Sequence, residues 1–112
     1  MTASPLDPIG APPGDRLADM WREHLRAPYP DGFRGRDIAG VELILLDADT
    51  AGLVLRELER GLDDDGVAAL ASCLADLDTV VPLIDEAYGA AYFTKLRAMA
   101  AFAAARHLPP AD

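Results

Sequence analysis

The sequence predicts an all-α fold, a small antiparallel four-helix bundle-like domain behind a flexible N-terminal tail. Alanine supplies 21 of the 112 residues and is the strongest helix former, with leucine close behind. Apolar residues recur at the three-and-four spacing of a helix face through most of the chain. Proline and glycine clusters fall between those runs, where connections belong. A chain of this length builds one core and is too short for two.

Residues 1–13 hold four prolines and no periodic pattern, which marks a tail; residues 14–108 then make a single helical domain. A first helix fits 15–27, with Asp15 as N-cap and Leu17, Met20 or Trp21, His24 and Leu25 on one side. It stops at 28-PYPDGFRGRD-37, where two prolines and a Pro-Asp-Gly turn oppose continuation. A second helix is expected over 38–61, with Val41, Ile44, Leu45, Ala48, Ala51, Gly52, Leu55 and Leu58 inward and Gly61 as its stop. The acidic turn 62-LDDDG-66 suits the exposed amides at the start of a third helix. There Val67, Leu70, Ala71, Leu74, Leu77, Val81 and Ile84 form the apolar stripe, opposite Ser72, Asp76 and Thr79. Pro82 removes a helical hydrogen bond and predicts a kink or break. A last helix fits 86–107, lined by Tyr88, Tyr92, Leu96, Met99, Phe102 and Ala103 and stopped by Pro109 and Pro110. Short connections favour antiparallel neighbours.

The net charge of −9 is concentrated: residues 37–86 carry thirteen acids against two arginines, a net −11. Such a centre repels phosphates and argues against direct nucleic-acid binding; it suits a protein partner with a basic surface. The candidate docking residues are Asp49, Glu57, Asp63, Asp64, Asp65, Asp76 and Asp78. The same carboxylates also serve simply to keep an alanine-rich domain in solution. Cys73 is the one cysteine, so no disulfide forms within the chain. The N-terminus lacks a signal pattern, and no apolar run looks long enough for a membrane span, so a cytoplasmic protein without membrane contact is expected. Arginine outnumbers lysine nine to one and Asn and Gln are absent, a usage that fits a GC-rich bacterial genome.

The stretch 41-VELILLDADTAGLV-54 is the strongest chemical signal. Asp47 and Asp49 after a leucine run resemble the first motif of the haloacid dehalogenase-like phosphatases, which would imply an aspartate nucleophile, a second acid and magnesium. Thr50 follows Asp49 at once, however, the chain has one lysine, Lys95, and no second convincing strand accompanies the run. On a helix, two residues apart means about 200° of rotation, so the pair cannot converge on one ion. A calcium loop starting at Asp47 fails because Leu58 stands where the bidentate glutamate belongs. No catalytic constellation, metal site or cofactor is therefore expected.

Two function classes remain. The first is a non-enzymatic interaction, regulatory or accessory module acting through its acidic surface. The alternative is a small-molecule-binding or minor enzymatic helical domain with a pocket between helices lined by Trp21, His24, Tyr88 and Tyr92. Self-association to a homodimer is a further possibility, through a second apolar face on the alanine-rich last helix. Cys73 reads as a small buried apolar group, because its neighbours are acids and leucines. Trp21, Tyr29 and Phe33 flank the proline-rich connection with arginines interleaved, a mixture that suits an interface hot spot and equally the pinning of that connection to the domain, with pinning the preferred reading.

Overall fold

The computed structural model describes residues 15–108. The expected tail over 1–13 and the stop at Pro109 and Pro110 lie outside the described residues. Four α-helices dominate: α1 (Arg16–Arg26), α2 (Leu43–Arg60), α3 (Asp64–Val80) and α4 (Ala87–Ala105). A minimal antiparallel hairpin, β1 (Asp37–Ile38) and β2 (Val41–Glu42), precedes α2.

Each helix begins on a carboxylate. Asp15 Oδ1 accepts from the N–H of Leu17 at 2.8 Å and of Ala18 at 3.2 Å. Glu42 accepts from Leu45 N–H, Asp63 from Gly66 N–H, and Glu86 from the N–H groups of Tyr88 and Gly89. These side chains satisfy amides that the helix leaves unpaired and place negative charge at the positive end of its dipole. Four of the acids are thereby committed to helix starts.

The helix expected over 38–61 begins five residues late. Ala39 and Gly40 adopt φ of 53° and 81°, closing a two-residue hairpin turn that a helix cannot contain. The buried face of α2 is also rotated from the expected one: Leu43, Leu46, Thr50, Val54 and Leu58 are buried, whereas Leu45, Ala48 and Gly52 are exposed. Thr50 is tolerated inside because its hydroxyl donates to the carbonyl of Leu46 at 2.7 Å. In α3 the buried set is Gly66, Leu70, Cys73, Leu77 and Val80, and Ala71 faces out. In α4 Phe93 is fully buried, while Tyr88 and Phe102 are each 42% exposed, against expectation. Pro82 acts as expected: α3 ends at Val80 and a 3₁₀ turn, Val81–Leu83, leads towards α4.

Cross-contacts fix helix directions. Asp15 meets Arg106, Glu23 meets Lys95 and the Tyr88 hydroxyl reaches the Pro28 carbonyl, so α1 and α4 run oppositely. Asp47 meets Tyr92 and Glu57 meets His107, so α2 and α4 run the same way. Helices α2 and α4 pack on one another and on both other helices, while α1 and α3 scarcely meet. The core follows: Leu17, Leu43, Val54, Leu70, Leu77, Phe93 and Leu96 have no exposed surface. Each such side chain contributes about 1.5–3 kcal/mol by leaving water.

The stretch Asp64–Leu83, 20 residues with mean hydropathy 1.5, is by length and composition alone long and apolar enough to cross a membrane. This corrects the expectation that no such run exists; its alanines raise the hydropathy without adding bulk. Leu70, Leu77 and Val80 on it are buried in the core between α2 and α4.

The connection 28–36 is pinned by aromatic packing. The Phe33 ring stacks on Phe93 at 6.2 Å, and the Arg36 guanidinium lies over the Phe33 ring at 4.8 Å from its centroid. It fills a notch at Gly89, where a Cβ would come within 2.7 Å of Phe33 Cε2. Tyr29 meets both Tyr92 and Phe93 edge-on.

Candidate functional site

Three polar side chains from three helices converge where α1, α2 and α4 meet. His24 comes from α1, Asp47 from α2 and Tyr92 from α4. His24 Nε2 lies 2.7 Å from Asp47 Oδ1, and the Tyr92 hydroxyl donates to Asp47 Oδ2 at 2.7 Å. The Tyr92 oxygen is also 3.4 Å from His24 Nε2. The side chains of His24 and Asp47 are 8% and 15% exposed, so the pair is largely withdrawn from water.

This geometry sets the histidine tautomer. A carboxylate oxygen accepts, so Nε2 carries the proton, and in the neutral ring Nδ1 is left as an acceptor. No side chain among the described residues bonds Nδ1, and no fully enclosed side-chain nitrogen or oxygen there lacks a partner. Nδ1 is therefore not fully enclosed. The tyrosine is held in its neutral form: burial first, then the hydrogen bond and charge of Asp47, raise the Tyr92 phenol far above its ordinary range. Tyr92 is thus a fixed donor to Asp47.

His24 and Tyr92 border two hollows. The larger is an apolar cleft of about 280 Å³ between α1 and α4, walled by Met20, His24 and Ala27 on one side and Tyr88, Ala91 and Tyr92 on the other. Arg16, Glu23 and Lys95 stand exposed around it. The second, about 250 Å³, opens beside Asp47, Ala48 and Tyr29. Of the four residues expected to line a pocket, the cleft brings together His24, Tyr88 and Tyr92. Trp21 is elsewhere: it is 8% exposed and its Nε1–H donates to the Ala51 carbonyl, tying α1 to α2. Asp47, considered from sequence only as a partner of Asp49, is the member that sequence reasoning missed. Its signal lies in tertiary proximity, since His24 and Tyr92 are 23 and 45 positions away. Asp49 is exposed on another side of α2, so the two aspartates do diverge around a helix.

The residues expected to form an acidic docking surface separate into different roles. Glu57 is not on the surface: its side chain is 8% exposed, with His107 Nε2 at 2.6 Å, the Leu62 N–H at 3.0 Å and Arg106 at 3.6 Å. Burial alone would raise its pKa, but the bonds from His107 and Leu62 and the Arg106 charge hold it below the ordinary glutamate range. Asp63 caps α3 and Asp78 pairs with Arg97. Asp64 and Asp65 are exposed at the start of α3, and Asp49 and Asp76 border an open groove between α2 and α3.

Cys73 is buried, and that burial, with Asp49 and Asp76 adding to it, pushes its thiol pKa up despite a hydrogen bond with Thr50. Among the described residues, no three His, Cys, Asp or Glu side chains are grouped to hold a metal ion. Set against known protein families, curated proteins and solved structures, the chain matches none.

Proposed function

We propose that the protein binds a small molecule in the cleft between α1 and α4, with His24 as its oriented polar contact. We read the four helices as a bundle-like domain whose α1–α4 seam is left open, in keeping with the way helical bundles host ligands between facing helices. One observation carries this reading: an imidazole anchored from behind by Asp47, with Nδ1 unpaired, bordering an apolar cleft of about 280 Å³. A buried polar network tied to three helices keeps that ring from turning, the preorganisation a binding contact requires. Among the described residues no serine, threonine or cysteine lines the cleft, and its one lysine meets Glu23; our reading is therefore of a binding site.

Titrating a fragment library while following the His24 ring nitrogens and the Ala91 and Ala98 amides by NMR tests it. The same compounds should move all three sites, and Ala91→Trp, which fills the cleft, should abolish the response. Hits that never touch these positions would sink the proposal.

The acidic docking module is the second reading, favoured by the net −11 over residues 37–86. Its carboxylates fall into separate groups, since Asp64 and Asp76 lie about 18 Å apart along α3 at the helical rise. A basic partner would have to bridge them. Binding to such a partner should weaken steeply with added salt.

A further inference from the structure

The exposed residues around the α1–α4 cleft differ from the rest of the protein in the sign of their charge. The chain as a whole carries −9, yet the charged residues among them are two cations, Arg16 and Lys95, and one carboxylate, Glu23. Arg16 has no hydrogen-bond or ion-pair partner among the described residues. Lys95 meets Glu23 at 3.3 Å, but both side chains are about 70% exposed, so the pair is weak and its cation remains available to a ligand.

The cleft is also polar at its two ends and apolar between. Helix α1 places Arg16 and His24 eight residues apart, about 12 Å along the axis. Between them lie Met20 on α1 and, across the seam, Ala98 of the oppositely running α4, while Lys95, which meets Glu23, and Ala91, next to Tyr92, stand at the His24 end. The small alanines leave the space, and Met20 offers an adaptable apolar surface. At the far end His24 Nδ1 is an acceptor without a partner among the described residues, and the Tyr88 hydroxyl is already committed to the Pro28 carbonyl at 2.6 Å.

We infer that the ligand is a small amphipathic anion, its carboxylate or phosphate held at Arg16 and its apolar body lying over Met20 and Ala98 towards His24, with Lys95 adding positive charge further along the same cleft. An arginine with no ion-pair partner among the described residues, beside an apolar trough in an otherwise acidic protein, selects the negative head by charge and the body by area. A cleft of about 280 Å³ between two helices suits a free molecule of this kind, and the vesicle arm of the test separates it from a lipid headgroup still seated in a bilayer. This inference rests on the cleft being a binding site, and its test separates the two.

Binding of octanoate, octyl phosphate, 1-octanol and octylamine is measured by calorimetry at 0.1 M salt, with the His24 and Ala91 NMR signals reporting location. Octanoate and octyl phosphate should bind about tenfold or more tightly than the alcohol or the amine, and Arg16→Gln should bring both down to the level of 1-octanol without altering the alcohol. Lys95→Gln, a second variant at an exposed position, should lower the anions by a smaller factor. Octylamine binding as well as octanoate, or anion binding indifferent to Arg16→Gln, overturns the ligand class and leaves the cleft standing as a site. If none of the four moves His24 or Ala91, the cleft reading falls as well. Phosphatidylglycerol vesicles that bind when the free anions do not would overturn the choice of a free molecule.

Discussion

Helix α2 holds two histidines by two carboxylates ten residues apart, and the two pairs have opposite characters. Glu57 is surrounded: a histidine, an arginine and a backbone N–H take up its oxygens, and the result clamps the end of α4 onto the α2–α3 turn. Asp47 has one histidine and one tyrosine, and that histidine borders two hollows. A carboxylate–histidine contact is thus no indicator of function by itself. What distinguishes the two is the setting: His107 is exposed just past the end of α4, whereas His24 is largely buried and borders a cleft between helices.

The largest expected effect comes from breaking the Asp47 side. Asp47→Ala strands His24 Nε2 and the Tyr92 hydroxyl in a largely buried setting and should cost about 3 kcal/mol in urea unfolding. Glu57→Gln should cost less, about 1–2 kcal/mol, because the amide still accepts one hydrogen bond and its other partners reach water. The pH dependence sharpens this second case. Glu57 is held below its ordinary value when folded, so its stabilisation is present above the unfolded pKa of about 4.3 and is lost as pH falls through the lowered folded value. Wild type should therefore lose more stability than Glu57→Gln between about pH 6 and 3, and parallel acid limbs would refute the clamp.

Tyr92→Phe should cost about 1 kcal/mol by removing one donor to Asp47 while keeping the ring packed. Because the folded phenol is raised, its contribution holds below the ordinary tyrosine pKa of about 10 and is lost as pH rises above it. The variant should accordingly lose less stability than wild type on the alkaline side. Smallest of all, Lys95→Gln should change stability by less than about 0.5 kcal/mol, since its pair with Glu23 is exposed. A larger loss would mean that the Lys95 side chain holds the cleft together and is not available to a ligand.

Local signals carried the fold. Asp15 as a cap and Pro82 as a break act on their own few residues and are readable without any partner. The face of α2 was not readable in the same way, because 43-LILL-46 is apolar on every side and offers no polar stripe to orient it. Its orientation depends on Thr50, which goes inside because the Leu46 carbonyl receives its proton, and on Asp47, which turns towards partners on other helices. The hairpin at Ala39–Gly40 hid inside an apolar run because only one of its two turn residues is glycine. At the candidate site, histidine and tyrosines were legible as a polar-aromatic set, but the aspartate that organises them was not.

The missing side chain at Gly89 governs more than the seating of one ring. Phe33 sunk into that hollow holds the whole proline-bearing connection down, and with it the Pro28 carbonyl that receives the Tyr88 hydroxyl at one edge of the cleft. A single methyl group at position 89 would push the ring outward, slacken the strap and widen the mouth from its hidden side. Access to the cleft is in this sense tuned by an atom that is not there.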